Sequence, residues 1–140
     1  MTSDPLSAYR QTRVKTASQG QLIVMLYDEG LRQIKAAETE LGGDQPQLDF
    51  VHNAIVKTQD IVTELMVSLD FEQGGDIAQN LFHLYMYFNQ KLIDANLSKD
   101  VAGLQEVHGL MTDLRDAWAT IESSAGRTEH RATGGVNLAG

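Results

Sequence analysis

The sequence predicts an all-α protein, an antiparallel up-down four-helix bundle with a short N-terminal docking segment. Apolar residues recur at helical spacing over most of the chain, Pro5 and Pro46 are the only prolines, and paired glycines separate long uninterrupted segments. A chain of 140 residues suits one domain with a substantial core. Short connections between amphipathic helices of similar length favour antiparallel neighbours, which close most simply as a bundle.

The first two predicted helices occupy residues 18 to about 69. The first begins at Ser18, whose side chain can cap free N–H groups while Gln21 reaches back, and it ends at Gly42. Its apolar positions are Ile23, Leu26, Tyr27, Ile34, Ala37 and Leu41. The second begins at Asp44, with Pro46 in the first turn, where its missing N–H costs nothing. Its apolar positions are Leu48, Val51, Ile55, Val62, Leu65, Met66 and Leu69.

The third predicted helix runs from near Asp76, whose charge favours a helix N-terminus, to about Leu97. Its apolar stripe is Ile77, Leu81, Leu84, Tyr85, Phe88, Leu92 and Ala95. The fourth begins at Ser98 or Asp100 and ends near Ser124. Its apolar stripe is Leu104, Val107, Met111, Leu114, Trp118 and Ile121.

The chain divides into three segments. Residues 18–123 form the predicted four-helix bundle. Residues 1–17 carry Leu6, Tyr9 and Val14 in a slightly basic setting, which suits a loosely docked cap. Residues 124–140 are rich in small and polar residues, and we expect a disordered tail.

The third helix carries more apolar surface than one bundle core can cover. Phe82, Met86 and Ile93 form a second stripe, which helical geometry places roughly opposite the first. In the second helix, Phe50, Ala54 and Ile61 are also displaced from the main stripe, and we expect them to line the same groove. An exposed apolar groove with methionine and aromatic side chains is typical of a partner-binding surface.

Composition restricts the classes of partner. The net charge is −8, and residues 18–123 hold 6 Lys/Arg against 17 Asp/Glu, so the body would repel nucleic acid. The absence of Cys excludes thiol chemistry and disulfides. No apolar stretch is long enough to insert into a membrane, and residues 1–17 lack the apolar region of a signal peptide. We therefore expect a cytoplasmic protein.

No motif supports catalysis, a metal site or a cofactor. Glu106 and His108 are two residues apart, whereas carboxylate-bridged metals in bundles need a Glu-x-x-His pair on one face. Nucleophile elbows and phosphate-binding glycine motifs are absent. Two alternatives to a binding protein remain: a histidine phosphotransfer bundle that uses His108 or His83, with His52 a weaker candidate, and a structural bundle that self-associates.

Motifs spread over residues 8–121 resemble the flagellar secretion chaperone FliS family. The matching residues are Ala8-Tyr9, Thr16-Ala17-Ser18, Gln21-Leu22-Ile23, Met25-Leu26-Tyr27-Asp28, Leu69-Asp70, Gly74-Gly75-Asp76-Ile77-Ala78, Asn80-Leu81, Leu84-Tyr85 with Tyr87, Leu92-Ile93, Ala95-Asn96-Leu97 and Ala117-Trp118. Together these motifs are specific, although each alone is weak.

The resemblance implies a non-enzymatic chaperone that binds the disordered C-terminal segment of flagellin and delivers it to the export gate of the flagellar secretion system. It also implies that the segment around Tyr9 covers part of the binding surface when flagellin is absent. The predicted partner contacts are Tyr9, Ile55, Asn80, Phe82, Leu84, Tyr85, Met86 and Tyr87, of which Phe82 and Met86 come from the apolar pattern alone. Tyr85 also belongs to the predicted core stripe.

Overall fold

The computed structural model describes the backbone of residues 18–134 and the side chains of residues 18–124. This part of the chain forms four helices and no strand: α1 (Gln19–Leu41), α2 (Leu48–Val67), α3 (Phe71–Ser98) and α4 (Val101–Gly134). The all-α four-helix prediction is therefore confirmed. The predicted docking segment, residues 1–17, lies outside the described residues.

The chain separates into two compact units. One unit, Leu26–Asp113, contains α2 and α3 together with parts of α1 and α4, and it holds the four-helix core. Among the described residues, the other combines residues 18–25 with residues 114–134. In this second unit the predicted capping box is present, since Ser18 Oγ accepts a hydrogen bond from Gln21 N at 3.1 Å and Gln21 Oε1 accepts one from Ser18 N at 3.0 Å.

Neighbouring helices of the first unit run antiparallel. Asn96 near the end of α3 meets His52 near the start of α2, and Glu106 near the start of α4 meets Tyr87 in the second half of α3. Connections this short leave no other arrangement for helices packed side by side.

The core of this unit follows the predicted stripes. Its largest fully buried side chains are Tyr27, Tyr85, Phe88, Ile34, Ile55, Leu65, Leu92, Leu104, Met111, Val51, Val62 and Val107. The hydroxyls of Tyr27 and Tyr85 lie 2.5 Å apart in a hydrogen bond, so each buried phenol has a partner. This contact joins α1 to α3 across the bundle.

Two helix starts differ from the prediction. α2 begins at Leu48, after a loop that contains Asp44 and Pro46, and Gln47 N donates to Glu40 Oε2 at 2.8 Å. α3 begins at Phe71 because Asp70 caps the helix: its carboxylate accepts hydrogen bonds from the backbone N–H groups of Glu72 and Gln73. This cap adds one turn before the predicted start.

A break at Gly75 separates that extra turn from the rest of α3. Gly75 has φ 50° and ψ −124°, a conformation that glycine adopts readily and other residues adopt only with strain. The predicted start near Asp76 is therefore the point at which regular helix resumes.

Three predicted stripe residues are exposed, so their assignment to the core is wrong. Leu48 is the first residue of α2, and Ile77 follows the break at Gly75, so neither has a full turn of helix before it. Ile121 lies in the second unit, on a helix that continues to Gly134 and past the predicted end near Ser124. Residues 125–132 include Ala, Arg and Glu and no Pro, which is compatible with continued helix.

A buried glycine permits close packing of three helices. An added Cβ at Gly30 of α1 would lie 3.0 Å from Met111 Cε of α4 and 3.1 Å from Ile61 Cγ2 of α2. Both distances are at or below the limit of ordinary van der Waals contact, so a larger residue would push the core apart.

We predict that Gly109→Ala, on an exposed part of α4 with nothing within 4 Å of the new Cβ, raises the free energy of unfolding by about 0.5–1 kcal/mol through helix propensity. Gly30→Ala receives the same propensity gain but must displace Met111 and Ile61, so its gain is smaller or reversed. Urea unfolding monitored by circular dichroism measures both changes. Equal gains at the two positions would contradict the packing described for Gly30.

Candidate functional site

Helices α2 and α3 pack against each other, and steps of four and three residues from the contact between His52 and Asn96 define one facing row on each helix. Asn96 Nδ2 lies 2.9 Å from His52 Nδ1 and fixes the register. Because antiparallel helices rise equally, residues equally distant from this pair lie level with each other. We call these rows the α2–α3 seam; its members are His52, Val56, Gln59, Thr63 and Met66 on α2 and Phe82, Met86, Asn89, Ile93 and Asn96 on α3.

The α2–α3 seam is open to solvent. None of its ten residues is fully buried, and Met86 is 50% and Ile93 42% exposed. Half-buried Phe82 packs edge-on against exposed Phe71, with ring centroids 6.0 Å apart and an interplanar angle of 69°. The seam thus presents apolar side chains alternating with polar ones outside the core; its apolar members are Val56, Met66, Phe82, Met86 and Ile93.

The seam contains no Asp, Glu, Lys or Arg, although residues 18–123 carry 17 acidic and 6 basic side chains. Covering a charged group costs hydration free energy unless the group finds a partner. Covering the seam therefore removes apolar surface from water without that cost, which suits an apolar segment of a partner protein.

One polar atom of the seam lacks a partner. Asn89 Oδ1 is buried and accepts no hydrogen bond. By the seam register, Asn89 lies level with Gln59, one heptad from the bonded pair of Asn96 and His52. A buried acceptor without a donor costs stability, so Asn89 weakens the packing of α2 against α3.

The other flank of α3 faces α4 and also has residues at alternating spacing. We call it the α4-facing strip; its members are Ile77, Asn80, Leu84, Tyr87 and Lys91. At its end, the Tyr87 hydroxyl donates to Glu106 Oε2, and Lys91 Nζ lies 3.2 Å from Glu106 Oε1. We call Tyr87, Lys91 and Glu106 the clasp. Toward the start of α3 the strip opens, since Leu84 is half-buried and Ile77 is 70% exposed.

The clasp residues shift one another's pKa values in consistent directions. The hydrogen bond from Tyr87, followed by the hydrogen bond and charge of Lys91, lowers the pKa of Glu106. The same Tyr87 bond raises the pKa of Tyr87, and the Glu106 carboxylate raises the pKa of Lys91. At neutral pH the clasp therefore holds a carboxylate between a phenol donor and an ammonium group.

Two further properties of the described residues concern other classes of function. Among the side chains of residues 18–124, no group of three or more His, Cys, Asp and Glu is placed to hold a metal ion. Within the described chain, each helix is too short or too polar to cross a bilayer.

Sequence comparison identifies the family of the chain. The family model described as Flagellar protein FliS matches residues 2–125. The chain is 32% identical over 133 residues to the flagellar secretion chaperone FliS of Bacillus subtilis (strain 168), covering 95% of this chain and 96% of that relative. It is 35% identical over 135 residues to the protein of the same name from Salmonella typhimurium (strain LT2), covering 93% of this chain and 98% of the relative. The chain belongs to the FliS family.

The Escherichia coli (strain K12) FliS chaperone is 37% identical over 109 residues, covering 77% of this chain and 79% of the relative. These relatives span nearly the same length as this chain, so the FliS assignment applies to the whole bundle. The identification made from scattered motifs is confirmed.

Most of the predicted FliS contact residues lie at the surface. Those that are exposed or half-buried are Asn80, Phe82, Leu84, Met86 and Tyr87. Ile55 and Tyr85 are 0% and 1% exposed and belong to the core, so their prediction as surface contacts is corrected. Tyr9 lies outside the described residues.

The predicted second stripe is real but lies in a different place. Phe82, Met86 and Ile93 occupy the flank of α3 that faces α2, and they are not opposite the core. Ala54 and Ile61, expected in the same groove, are buried 96% or more, so that expectation is wrong. Their positions on α2 turn inward. The residues that α2 does contribute to the seam include Val56, which the sequence analysis did not name, and Met66, which it assigned to the main apolar stripe.

The histidines of the phosphotransfer alternative have structural neighbours. His108 Nδ1 lies 2.9 Å from Glu38 Oε2, which joins α4 to α1, and His52 meets Asn96. His83 is exposed, with its ring 5.8 Å from that of Phe82. These contacts give His108 and His52 a role in packing, and they favour a FliS chaperone over a phosphotransfer protein.

We predict that Asn89→Leu raises the free energy of unfolding of this FliS protein by about 1–2 kcal/mol, because it replaces a buried unpaired acceptor with an apolar group. Asn80→Leu, at an exposed asparagine of the same helix, serves as the control and changes the free energy by less than about 0.5 kcal/mol. Denaturant titration compares the two. A loss of stability in Asn89→Leu would show that the amide makes a favourable interaction in solution.

Proposed function

We propose that the protein is a cytoplasmic, non-enzymatic export chaperone for flagellin. In this proposal it binds the disordered C-terminal segment of flagellin, prevents premature polymerisation and delivers flagellin to the flagellar type III export apparatus. Its FliS relatives are named flagellar secretion chaperones, which supports the class of function. The observation that carries the flagellin-binding part is the α2–α3 seam, an open surface of apolar and polar side chains without Asp, Glu, Lys or Arg on a strongly acidic protein.

The length of the seam suits a partner segment that folds when it binds. From Phe82 to Asn96 it spans about 21 Å of helix, the length of a partner helix of four turns. An extended segment that becomes helical on binding can place apolar side chains every three or four residues against such a surface. Ordering the segment costs free energy, so a long apolar contact is needed to offset it.

The α4-facing strip extends the proposed surface around α3. Leu84 offers a half-buried apolar side chain, and Asn80 and Tyr87 offer polar groups that can bond the backbone of a bound segment. A segment that wraps around α3 would contact both flanks of this helix. Wrapping enlarges the buried area without requiring a deep pocket.

The proposed mechanism is competitive burial. The apolar face of the flagellin terminus that would otherwise pack between subunits of the filament is occupied by the chaperone. A one-to-one complex then blocks assembly without a chemical step, and the bound segment remains able to unfold for export. The absence of any required bond-making step is consistent with a surface built from apolar and amide side chains.

We predict that Met86→Glu with Ile93→Glu weakens binding of a peptide comprising the C-terminal segment of the flagellin from the same organism by at least tenfold, or about 1.4 kcal/mol. Both side chains are exposed, so the variant should fold normally while placing two carboxylates in an apolar contact. Isothermal titration measures the affinity, and a negative heat-capacity change for the unmodified protein marks apolar burial.

Val67→Glu is the matched control, because Val67 is 75% exposed on α2 but lies outside the seam. Its affinity for the peptide should stay within about twofold of the unmodified value, since isolated exposed apolar residues contribute little. Equal weakening by the control would indicate a general charge effect. Unchanged binding by the double variant would remove the seam from the proposed surface.

The segment of residues 1–17 enters the proposal as a cover of the flagellin-binding surface. Arg10, Arg13 and Lys15 give it a positive charge opposite in sign to the body, and Leu6 and Tyr9 can occupy an apolar surface.

Removing residues 1–15 should raise flagellin affinity several-fold, because the peptide no longer competes with a tethered segment. Titration of the truncated and full-length proteins tests this expectation. Unchanged or lower affinity would show that these residues do not cover the site.

A further inference from the structure

One carboxylate of α4 holds two side chains of α3 in the clasp. Glu106 Oε2 accepts the hydrogen bond of the Tyr87 hydroxyl, and Glu106 Oε1 pairs with Lys91 Nζ at 3.2 Å. All three side chains are partly exposed, and exposed pairs of this kind contribute little to folding stability. The effect of the clasp is therefore expected at the surface that Tyr87 helps to form.

The backbone position of Glu106 is held by the packing of α4 against α3 one turn earlier. One turn earlier on α4, an added Cβ at Gly103 would lie 3.2 Å from Ala95 Cβ of α3, so the two helices approach closely there. Gly103 and Glu106 are three residues apart and share the side of α4 that faces α3. The packing thus holds the backbone at Glu106 close to α3, and the contacts with Tyr87 and Lys91 hold its carboxylate.

Tyr87 is the clasp residue whose side-chain orientation matters most for the surface. Its ring is 42% exposed on the α4-facing strip, between Lys91 and half-buried Leu84, and it touches Phe88 with ring centroids 6.5 Å apart. Without the bond to Glu106, such a side chain would sample several rotamers, and a partner would have to order it on binding. A surface side chain already held in one orientation removes that cost.

We propose that Glu106 is a positioning residue for flagellin binding, which acts by fixing the Tyr87 ring so that the ring and Leu84 together receive the bound segment. This inference rests on the proposed function. The cost of immobilising one side chain on binding corresponds to a factor of about two to ten in affinity, which is the size of effect expected from Glu106.

Four variants of the full-length chain test the role of Glu106 by isothermal titration with the flagellin C-terminal peptide. Glu106→Ala should weaken binding about fivefold, and Tyr87→Phe should weaken it to a similar extent because both release the ring. Glu106→Gln keeps an acceptor oxygen for the Tyr87 hydroxyl and should stay within about twofold of the unmodified protein. Lys91→Met removes the ion pair to Glu106 Oε1 and leaves the Tyr87 bond to Oε2 in place, so it should weaken binding less than Glu106→Ala.

The double variant Glu106→Ala with Tyr87→Phe distinguishes positioning from two separate contacts. If Glu106 acts through Tyr87, the double variant binds no more weakly than either single variant, whereas independent contacts would give multiplied losses. The melting temperature of each variant, measured alongside, should change by no more than about 2 °C because the clasp is exposed.

Several results would overturn the inference while leaving the proposed function intact. These are unchanged flagellin affinity in Glu106→Ala, multiplied losses in the double variant, and an affinity loss in Glu106→Gln as large as in Glu106→Ala. A lowered melting temperature with normal affinity would give Glu106 a purely structural role. No binding of the peptide by the unmodified protein would overturn the proposed function and the inference together.

Discussion

The packing of α3 is the constraint on which the rest of this structure depends. Its inner side carries Tyr85, whose hydroxyl reaches Tyr27 of α1, while one flank meets α2 at Asn96 and the other meets α4 at Tyr87. A helix in a small bundle usually buries one stripe of side chains. Helix α3 has apolar residues on its inner side and on both flanks, and the flanks are only partly covered. In the proposed function, this surplus is the surface that receives the bound segment.

Charged side chains are distributed unevenly between the seam and the rest of the bundle. The acidic residues give residues 18–123 a negative charge that repels nucleic acid, but they are absent from the α2–α3 seam. A partner that covers the seam displaces water from methionine, isoleucine and phenylalanine without stripping the hydration of an ion. The unpaired amide oxygen of Asn89 in the same seam is a local cost to the packing of α2 against α3.

Sequence reasoning reached the core but not all of the surface. Helical periodicity identified Tyr27, Phe88 and Leu104 as buried because the angle of a residue around its own helix depends only on its position in the chain. The start of α3 was harder to predict from sequence. The glycine pair Gly74-Gly75 indicated a start near Asp76, whereas the Asp70 cap adds a turn of helix before Gly75. Val56 was missed because the seam depends on which residues of α2 lie level with α3. That register is a long-range property, and no single helix encodes it.

The two errors at predicted contacts have the same origin. Ile55 and Tyr85 have side chains suited to an apolar interface, and composition alone does not distinguish an interface from a core. The residues packed around a side chain decide whether it belongs to the core or to the surface. Tyr85 faces Tyr27, whereas Tyr87, two residues later, faces Glu106 and solvent. Residues two positions apart on a helix differ by about 200° in direction, so Tyr85 and Tyr87 lie on different sides of α3. Tyr85 packs in the core of the bundle and Tyr87 stands at its surface, where the proposed function places the bound segment.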